Sequence, residues 1–343
     1  MTDTTAREVV LRGLSSPADL HVTVGTRPAP TAGQALVRIE ASGVSFAERS
    51  MRRGRYPGQP PFPFVPGYDL VGTVLEVGSP ADQRWVGQRV AVATKTGGWA
   101  THAVVDTDDL VAVPDGVAAA DAETVIVNGI TAWQMLHRSA RVRRGGTILV
   151  HGASGGVGTV LVQLAVHAGI RVIGTAAPRN HDALRALGVE PVDYATPDLV
   201  GAVRALAPDG VDAVFDHLGE ESARRSWTLL ARGGALVVYG TALDLDSSKS
   251  ILQVFVGMIG RIVLWNVVPN GRRASFYDFW GGKRVRPTMF RRRQHEDLSA
   301  VLDLLAQGVI TPAVAARFPL EEIATAVELA ESGTIRGKVV LVP

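Results

Sequence analysis

Thr147-Ile-Leu-Val-His-Gly-Ala-Ser-Gly-Gly-Val-Gly158 runs an apolar β segment into a glycine-rich turn, and Thr159-Val-Leu-Val-Gln-Leu-Ala165 continues as a helix. Glycines at such a turn let the backbone come close to a ligand. The N–H groups of a helix's first turn lack intrahelical acceptors and lie at the positive end of its dipole, so this arrangement suits a pyrophosphate. The motif departs from strict G-x-G-x-x-G: Ala153 takes the first glycine's place, and Gly155, Gly156 and Gly158 follow. Its place between strand and helix points to a dinucleotide site. A tight turn that binds nothing is the alternative.

Outward from the turn, apolar runs at Arg171-Val-Ile-Gly174, Val211-Asp-Ala-Val-Phe-Asp216 and Ala235-Leu-Val-Val-Tyr-Gly240 alternate with amphipathic stretches at 160–168, 182–187 and 221–231. That alternation predicts a parallel sheet covered on both faces. Toward the N-terminus, short β runs at 9–11, 36–39, 70–75, 90–92, 103–105 and 110–113, punctuated by Gly and Pro, predict a barrel or sandwich. A helical pattern covers 118–135. Beyond the alternating region come an apolar helix at 251–268, an aromatic and basic segment from Phe276 to Arg293, a helix at 296–306 and a strand at 338–342.

The chain has 343 residues, 46% hydrophobic and 20% charged, a globular composition long enough for two domains. Lys and Arg total 35 against 33 Asp and Glu, a net charge of +2 too mild to imply nucleic acid. With no Cys, disulfides and thiolate zinc sites are excluded. The first residues lack the charged-then-apolar order of a secretory signal, so a cytoplasmic protein is expected. The 251–268 run carries Arg261 near its middle, with Gln253 and Asn266, and a central Arg costs about 3 kcal/mol on insertion scales. A helix buried between domains or subunits is the better reading, and no membrane partner is expected.

Where NAD-preferring sites place an acidic residue after the second strand, this chain reads Gly174-Thr-Ala-Ala-Pro-Arg179. The Thr175 hydroxyl and the Arg179 guanidinium suit a 2′-phosphate, so NADPH is the expected cofactor. An exposed surface arginine is the alternative reading.

Gly43-Val-Ser-Phe-Ala-Glu48 followed by Arg53-Gly-Arg-Tyr56, Pro66-Gly-Tyr-Asp-Leu-Val-Gly72, Gly97-Gly-Trp-Ala-Thr-His102, Asn128-Gly-Ile-Thr-Ala132, the Gly152 to Gly158 turn and Gly337-Lys-Val-Val-Leu341 complete the pattern. With these the chain resembles the zinc-free branch of the medium-chain dehydrogenase/reductase superfamily, near zeta-crystallin-like quinone oxidoreductases and VAT-1-like proteins. The resemblance covers essentially the whole chain. It implies an α/β protein: a GroES-like, partly open β-barrel catalytic domain (1–122 and 291–343) and a Rossmann doubly wound parallel-sheet domain (123–290). Zinc-dependent relatives place a Cys near Ser45 and a His-Glu pair at Tyr68-Asp69, so no metal is expected. Carried over to matching positions, Ser154, Gly155, Gly156 and Val157 would line the pyrophosphate, Arg179 the 2′-phosphate, and Tyr194 the same ribose. Thr131 would face the nicotinamide carboxamide, with His217, Leu218, Gly219, Tyr239, Gly240 and Thr241 at further strand ends. Family habit suggests a homodimer through Rossmann edges.

The implied activity is zinc-independent hydride transfer from NADPH to a quinone or α,β-unsaturated carbonyl, in which the protein mostly positions the reactants. Tyr56 is the first candidate to hydrogen-bond the acceptor carbonyl, and Arg52 a weaker one. Packing against Phe62 and Phe64 is the other reading of Tyr56. Ser45 replaces the Asn usual near the nicotinamide. His151, His102 and Asp69 read as structural, the segment from Phe276 to Phe290 as an aromatic wall of the substrate cleft, and Arg291 to Arg293 as a solvated face. Alternatives are an enoyl-thioester reductase, or a non-catalytic NADPH-binding, crystallin-like protein with RNA-binding arginine clusters.

Overall fold

The computed structural model describes residues 3–242 and 250–343. The chain forms two compact units, 1–130 with 285–343, and 131–284.

In the first unit, β1 (Thr4–Val9) and β2 (Val22–Arg27) pair antiparallel. β3 (Gln34–Val44) leads into the short helix α1 (Phe46–Arg52), and β4 (Asp69–Val77), β5 (Arg89–Ala93), β6 (His102–Asp106) and β7 (Val111–Ala112) follow. β3 explains the partly closed shape. One side pairs with β4 along its length, while the other pairs with β6 over 34–38 and with a C-terminal strand over 42–44. Register shifts between Leu36 and Val37 and between Ile39 and Ala41 mark bulges, which bend the strand so that it serves both neighbours. Val37, Ile39, Leu70, Val74, Val90, Val92 and Leu110 meet in the core beneath. The helix α2 (Ala119–Trp133) follows.

The second unit is a six-stranded parallel sheet among the described residues. Its strands are β8 (Thr147–Val150), β9 (Arg171–Ala176), β10 (Val189–Asp193), β11 (Val211–Asp216), β12 (Leu230–Val238) and β13 (Arg273–Phe276). They lie in the order β10-β9-β8-β11-β12-β13. Counted from β8 this is 3-2-1-4-5-6, the doubly wound order expected, with its switch point between β8 and β11. The helices α3 (Gly156–His167), α4 (His181–Ala186), α5 (Leu199–Leu206) and α6 (Glu220–Leu229) follow β8 to β11 in turn.

The apolar run becomes α7 (Ile251–Val267), started by a Ser250–Gln253 capping box. Val254, Met258 and Ile262, four residues apart, join the core of the parallel sheet, and Trp265 stacks on Trp227. On the opposite face Leu252, Val256, Ile259, Val263, Leu264 and Val267 are exposed, so the single chain buries only one side of the predicted buried helix. Arg261 pairs with Glu220. No helix among the described residues is long and apolar enough to cross a membrane.

The chain then returns to the first unit. α8 (Pro287–Ala306) begins nine residues earlier than the predicted start at 296, β14 (Val314–Pro319) pairs parallel with β15 (Lys338–Val342), and α9 (Ile323–Glu331) connects them. Arg291 is no solvated residue: it reaches Asp106, Asp108 and Asp109, tying α8 to the turn after β6.

Candidate functional site

The turn after β8 is shaped by two glycines. Gly152 has φ +65, in the left-handed region, and an added Cβ would stand 2.6 Å from the His217 ring. Gly158 lies against the turn's own backbone, where a Cβ would fall 2.1 Å from the Gly152 carbonyl oxygen. α3 starts at Gly156 with Gly155 as its N-cap. The first-turn N–H groups of Gly156, Val157 and Gly158 therefore fan out at the carboxyl end of β8.

A directional chain of hydrogen bonds holds this turn from below. Thr175, at the end of β9, accepts the Gly152 N–H on its hydroxyl and the Ala153 N–H on its carbonyl. His151 Nδ1 lies 3.2 Å from the same hydroxyl, and His151 Nε2 lies 3.0 Å from Ser226 Oγ. Ser226 donates to the fully buried Asp216 carboxylate at 2.7 Å, as does Ser222, while Leu218 N–H donates to the other oxygen. A serine has one proton to give. His151 therefore donates through Nε2, and as a neutral ring it accepts the Thr175 proton at Nδ1. Burial pushes its pKa down, against the pull of Asp216, in keeping with that state. This reassigns Thr175: its proton and one lone pair are engaged inside the fold, and its hydroxyl serves the turn rather than a 2′-phosphate.

The other residues of the dinucleotide reading collect along one edge of the sheet. Ser154 accepts from the Asn180 amide at 3.0 Å. Arg179 is exposed in the turn after β9, and Tyr194 is 60% exposed just after β10. His217, Leu218 and Gly219 follow β11, and Tyr239, Gly240 and Thr241 follow β12. The His217 and Tyr239 rings pack with centroids 5.4 Å apart. Burial holds His217 neutral and raises the Tyr239 phenol, with Asp216 adding to that rise. Thr131 is buried near the end of α2. Phe276 packs edge-on to Phe255 of α7, and Tyr277 bonds Gln134, so these two members of the aromatic segment are packed within the second unit.

In the first unit Ser45 caps α1. It accepts from Ala47 N–H, and both its N–H and its hydroxyl donate to Glu48. Glu48 also accepts the Tyr68 N–H at 2.7 Å. Burial pushes the Glu48 carboxyl up to about 7 despite the Ser45 hydrogen bond, and Asp69 adds to the rise. Asp69 is paired with Lys338 at 2.8 Å, and Lys338 also bonds Glu123. Burial drives Glu123 well above the usual carboxylate range against the pull of Lys338, and Asp69 reinforces it. Burial favours a neutral lysine, but Asp69 and Glu123 overcome it and hold Lys338 above the ordinary lysine value. A fixed ammonium thus lies between Asp69 and Glu123.

Tyr56 meets Tyr68 edge-on, with centroids 5.8 Å apart, and their hydroxyls share a hydrogen bond. Phe62 and Phe64 stack on each other. The Arg52 guanidinium is buried, donates to the Ser15 carbonyl and pairs with Glu331, so it is committed to holding α1 and does not join Tyr56 as a donor to an acceptor. Tyr68 was passed over in the sequence, where it stands at the place of a metal-binding His in zinc relatives; the only hint was a second phenol twelve residues after the first.

A bulged, mostly antiparallel barrel and a 3-2-1-4-5-6 parallel sheet with a glycine turn at its switch point define the medium-chain dehydrogenase/reductase class. Residues 31–115 match the family model described as the alcohol dehydrogenase GroES-like domain, and residues 187–341 the one described as zinc-binding dehydrogenase. The human synaptic vesicle membrane protein VAT-1 homolog is 32% identical over 322 residues, covering 92% of this chain and 80% of that protein. A mycobacterial protein solved in complex with NADPH superposes with a TM-score of 0.82 at 28% identity, covering 98% of this chain and all of the other. A mycobacterial quinone oxidoreductase gives 0.80 at 28%, with the same coverage. The chain belongs to the zinc-free quinone oxidoreductase and VAT-1-like branch of the medium-chain dehydrogenase/reductase superfamily.

Proposed function

We propose that this protein is a cytoplasmic, zinc-independent oxidoreductase that reduces a quinone or an α,β-unsaturated carbonyl with NADPH. The observation that carries the reading is the turn from Gly152 to Gly158, whose backbone packs so closely against His217 and against itself that no Cβ fits at Gly152 or Gly158, and whose helix start directs its first-turn N–H groups outward. The residues present fit the dinucleotide. Ser154, Gly155, Gly156 and Val157 would hold the pyrophosphate, Arg179 the 2′-phosphate, and Tyr194 the adjoining ribose. Leu218, Gly219, Tyr239, Gly240 and Thr241 would border the cofactor further along the sheet edge, and Thr131 its carboxamide. Bound NADPH supplies a hydride. The chain's own part is to orient that donor and, through Tyr56, to bond the acceptor's oxygen as negative charge grows on it.

Oxidation of NADPH by the purified protein with quinones, enals and enoyl thioesters tests the reading. Turnover with a quinone or enone, and a Kd for NADPH at least tenfold below that for NADH, is the expected outcome. Arg179→Ala should erase most of that preference, since a guanidinium–phosphate pair is worth about 1.5–3 kcal/mol. No turnover with any acceptor would sink the reading.

The exposed face of α7 and the outer side of edge strand β13 support a homodimer, because a second copy would cover both. Light scattering of the purified protein reads this directly.

A further inference from the structure

Asn180 stands directly before α4, a place where an asparagine ordinarily caps the helix by accepting a first-turn N–H. Here its side chain makes no such bond. The preceding turn, 178–180 with Pro178 at its start, has already brought the Asn180 backbone to a helical conformation (φ −102, ψ −4), whereas a cap calls for an extended one. Asn180 N–H closes that turn on the Ala177 carbonyl at 2.9 Å, and His181 Nε2 lies 3.2 Å from the Ala176 carbonyl. So placed, the Asn180 amide reaches a residue 26 positions away, donating at 3.0 Å to the Ser154 hydroxyl in the bend between β8 and α3. One contact thereby joins two turns of the second unit, the one read as holding the pyrophosphate and the one that carries Arg179.

The direction of this bond matters. A hydroxyl has one proton and two lone pairs, an amide nitrogen brings only protons, and the oxygens of a phosphate accept. With the Asn180 N–H aimed at its oxygen, Ser154 keeps its own proton pointing away from Asn180. Accepting one hydrogen bond also polarises a hydroxyl and strengthens the bond it donates. Ser154 is 9% exposed, so little water competes for that proton.

We infer that Asn180 is a positioning residue for the dinucleotide: by donating to Ser154 Oγ it turns the Ser154 proton toward the pyrophosphate. The inference rests on the dinucleotide reading above and deepens it, giving Ser154 the part of a donor and giving the turn after β9 a second task besides presenting Arg179. It also accounts for the missing cap on α4, since the amide that would serve the helix serves the ligand. No bond is made or broken, and the effect lies wholly in binding.

Two fragments of the cofactor separate this role from its rivals. ADP-ribose carries the pyrophosphate and lacks the 2′-phosphate; adenosine 2′-monophosphate carries the 2′-phosphate and lacks the pyrophosphate. Calorimetry on the full chain reads the Kd of each for wild type, Asn180→Ala, Ser154→Ala and the double variant. A hydrogen bond to a charged group is worth roughly 10- to 100-fold in binding, so Ser154→Ala should weaken ADP-ribose by about that factor. Asn180→Ala leaves the hydroxyl in place but unaligned, and should weaken ADP-ribose roughly three- to tenfold. Both variants should bind adenosine 2′-monophosphate as wild type does. The double variant should hold ADP-ribose no more weakly than Ser154→Ala, because Asn180 acts only through Ser154.

Asn180→Leu, of similar shape without the N–H groups, should repeat the Asn180→Ala result and so excludes an effect of lost volume. Unchanged ADP-ribose affinity in both Asn180 variants, or additive losses in the double variant, would overturn the inference while the dinucleotide reading stands. An equal loss of adenosine 2′-monophosphate would overturn it too, making Asn180 a mere brace of its own turn. A wild-type chain that retained neither NADPH nor ADP-ribose would remove the reading and the inference together.

Discussion

Asp216 beneath the glycine turn and Asp69 beneath the barrel are both fully buried, yet their surroundings differ. Two serine hydroxyls and a backbone N–H hold Asp216, and from Ser226 a chain of neutral groups runs through His151 and Thr175 to Gly152. Asp69 instead shares one buried ammonium, Lys338, with Glu123, and Glu48 feels both. The first cluster keeps its shape through hydrogen bonds of fixed direction and holds one formal charge. The second keeps its shape by balancing charges, so its integrity depends on which carboxyls are protonated. Placing the directionally hydrogen-bonded device under the cofactor turn makes physical sense, since a backbone cradle for phosphates tolerates little displacement.

Removing the ammonium should break the contrast most severely. Lys338→Met leaves Asp69 and Glu123 buried without their counter-charge, and breaking a buried pair from one side costs about 3–5 kcal/mol. Chemical denaturation should show that loss at pH 8 and a smaller one at pH 5, where the stranded carboxyls take up protons more readily.

A second experiment sharpens the charge half of the contrast. Glu48 titrates near 7 in the folded chain and at its ordinary value near 4.5 when unfolded, so between those values the native state holds the extra proton. Stability therefore falls as pH rises through that window, by up to about 3 kcal/mol from this group. Glu48→Gln should flatten the fall, read as the denaturant midpoint at pH 5 and pH 8. A slope equal to that of wild type would count against it.

The smallest effect belongs to the neutral chain. Ser226→Ala removes one of three donors to Asp216 and the acceptor of His151, and a lost buried hydrogen bond of this kind costs about 1–3 kcal/mol. The loss should be nearly the same at pH 5 and pH 8, accompanied by weaker NADPH binding as the turn loosens. A strongly pH-dependent loss would show that this cluster is governed by charge after all.

How far the fold was readable from sequence follows the position of each strand. β8, β9, β11 and β12 lie inside the parallel sheet and read as apolar runs because both their faces are covered. β10 and β13 form its edges and were missed. Pro191 and Glu190 in β10 argue against a strand by composition, yet an edge tolerates them because one side needs no ladder bond. β2 and β14, also missed, carry alternating exposed residues and depend on partners distant in sequence. The glycine turn was legible because backbone conformation is written into glycine itself. Thr175 illustrates the limit: its place at a strand end suited a phosphate, and only the arrival of His151 from β8 shows the hydroxyl already engaged. Arg291 does likewise, one of three adjacent arginines that alone reaches three aspartates.

Taken by itself, the order of residues determined the two architectures, the phosphate-holding bend and the lack of thiolate metal chemistry, because these depend on local periodicity, glycine and composition. Tertiary structure alone decided which hydroxyls and carboxylates meet: Tyr68 with Tyr56, Lys338 with Asp69 and Glu123, His151 with Ser226. Partners separated by as many as 269 positions come together through strand order and register, and a buried group's protonation follows from what surrounds it in space rather than along the chain.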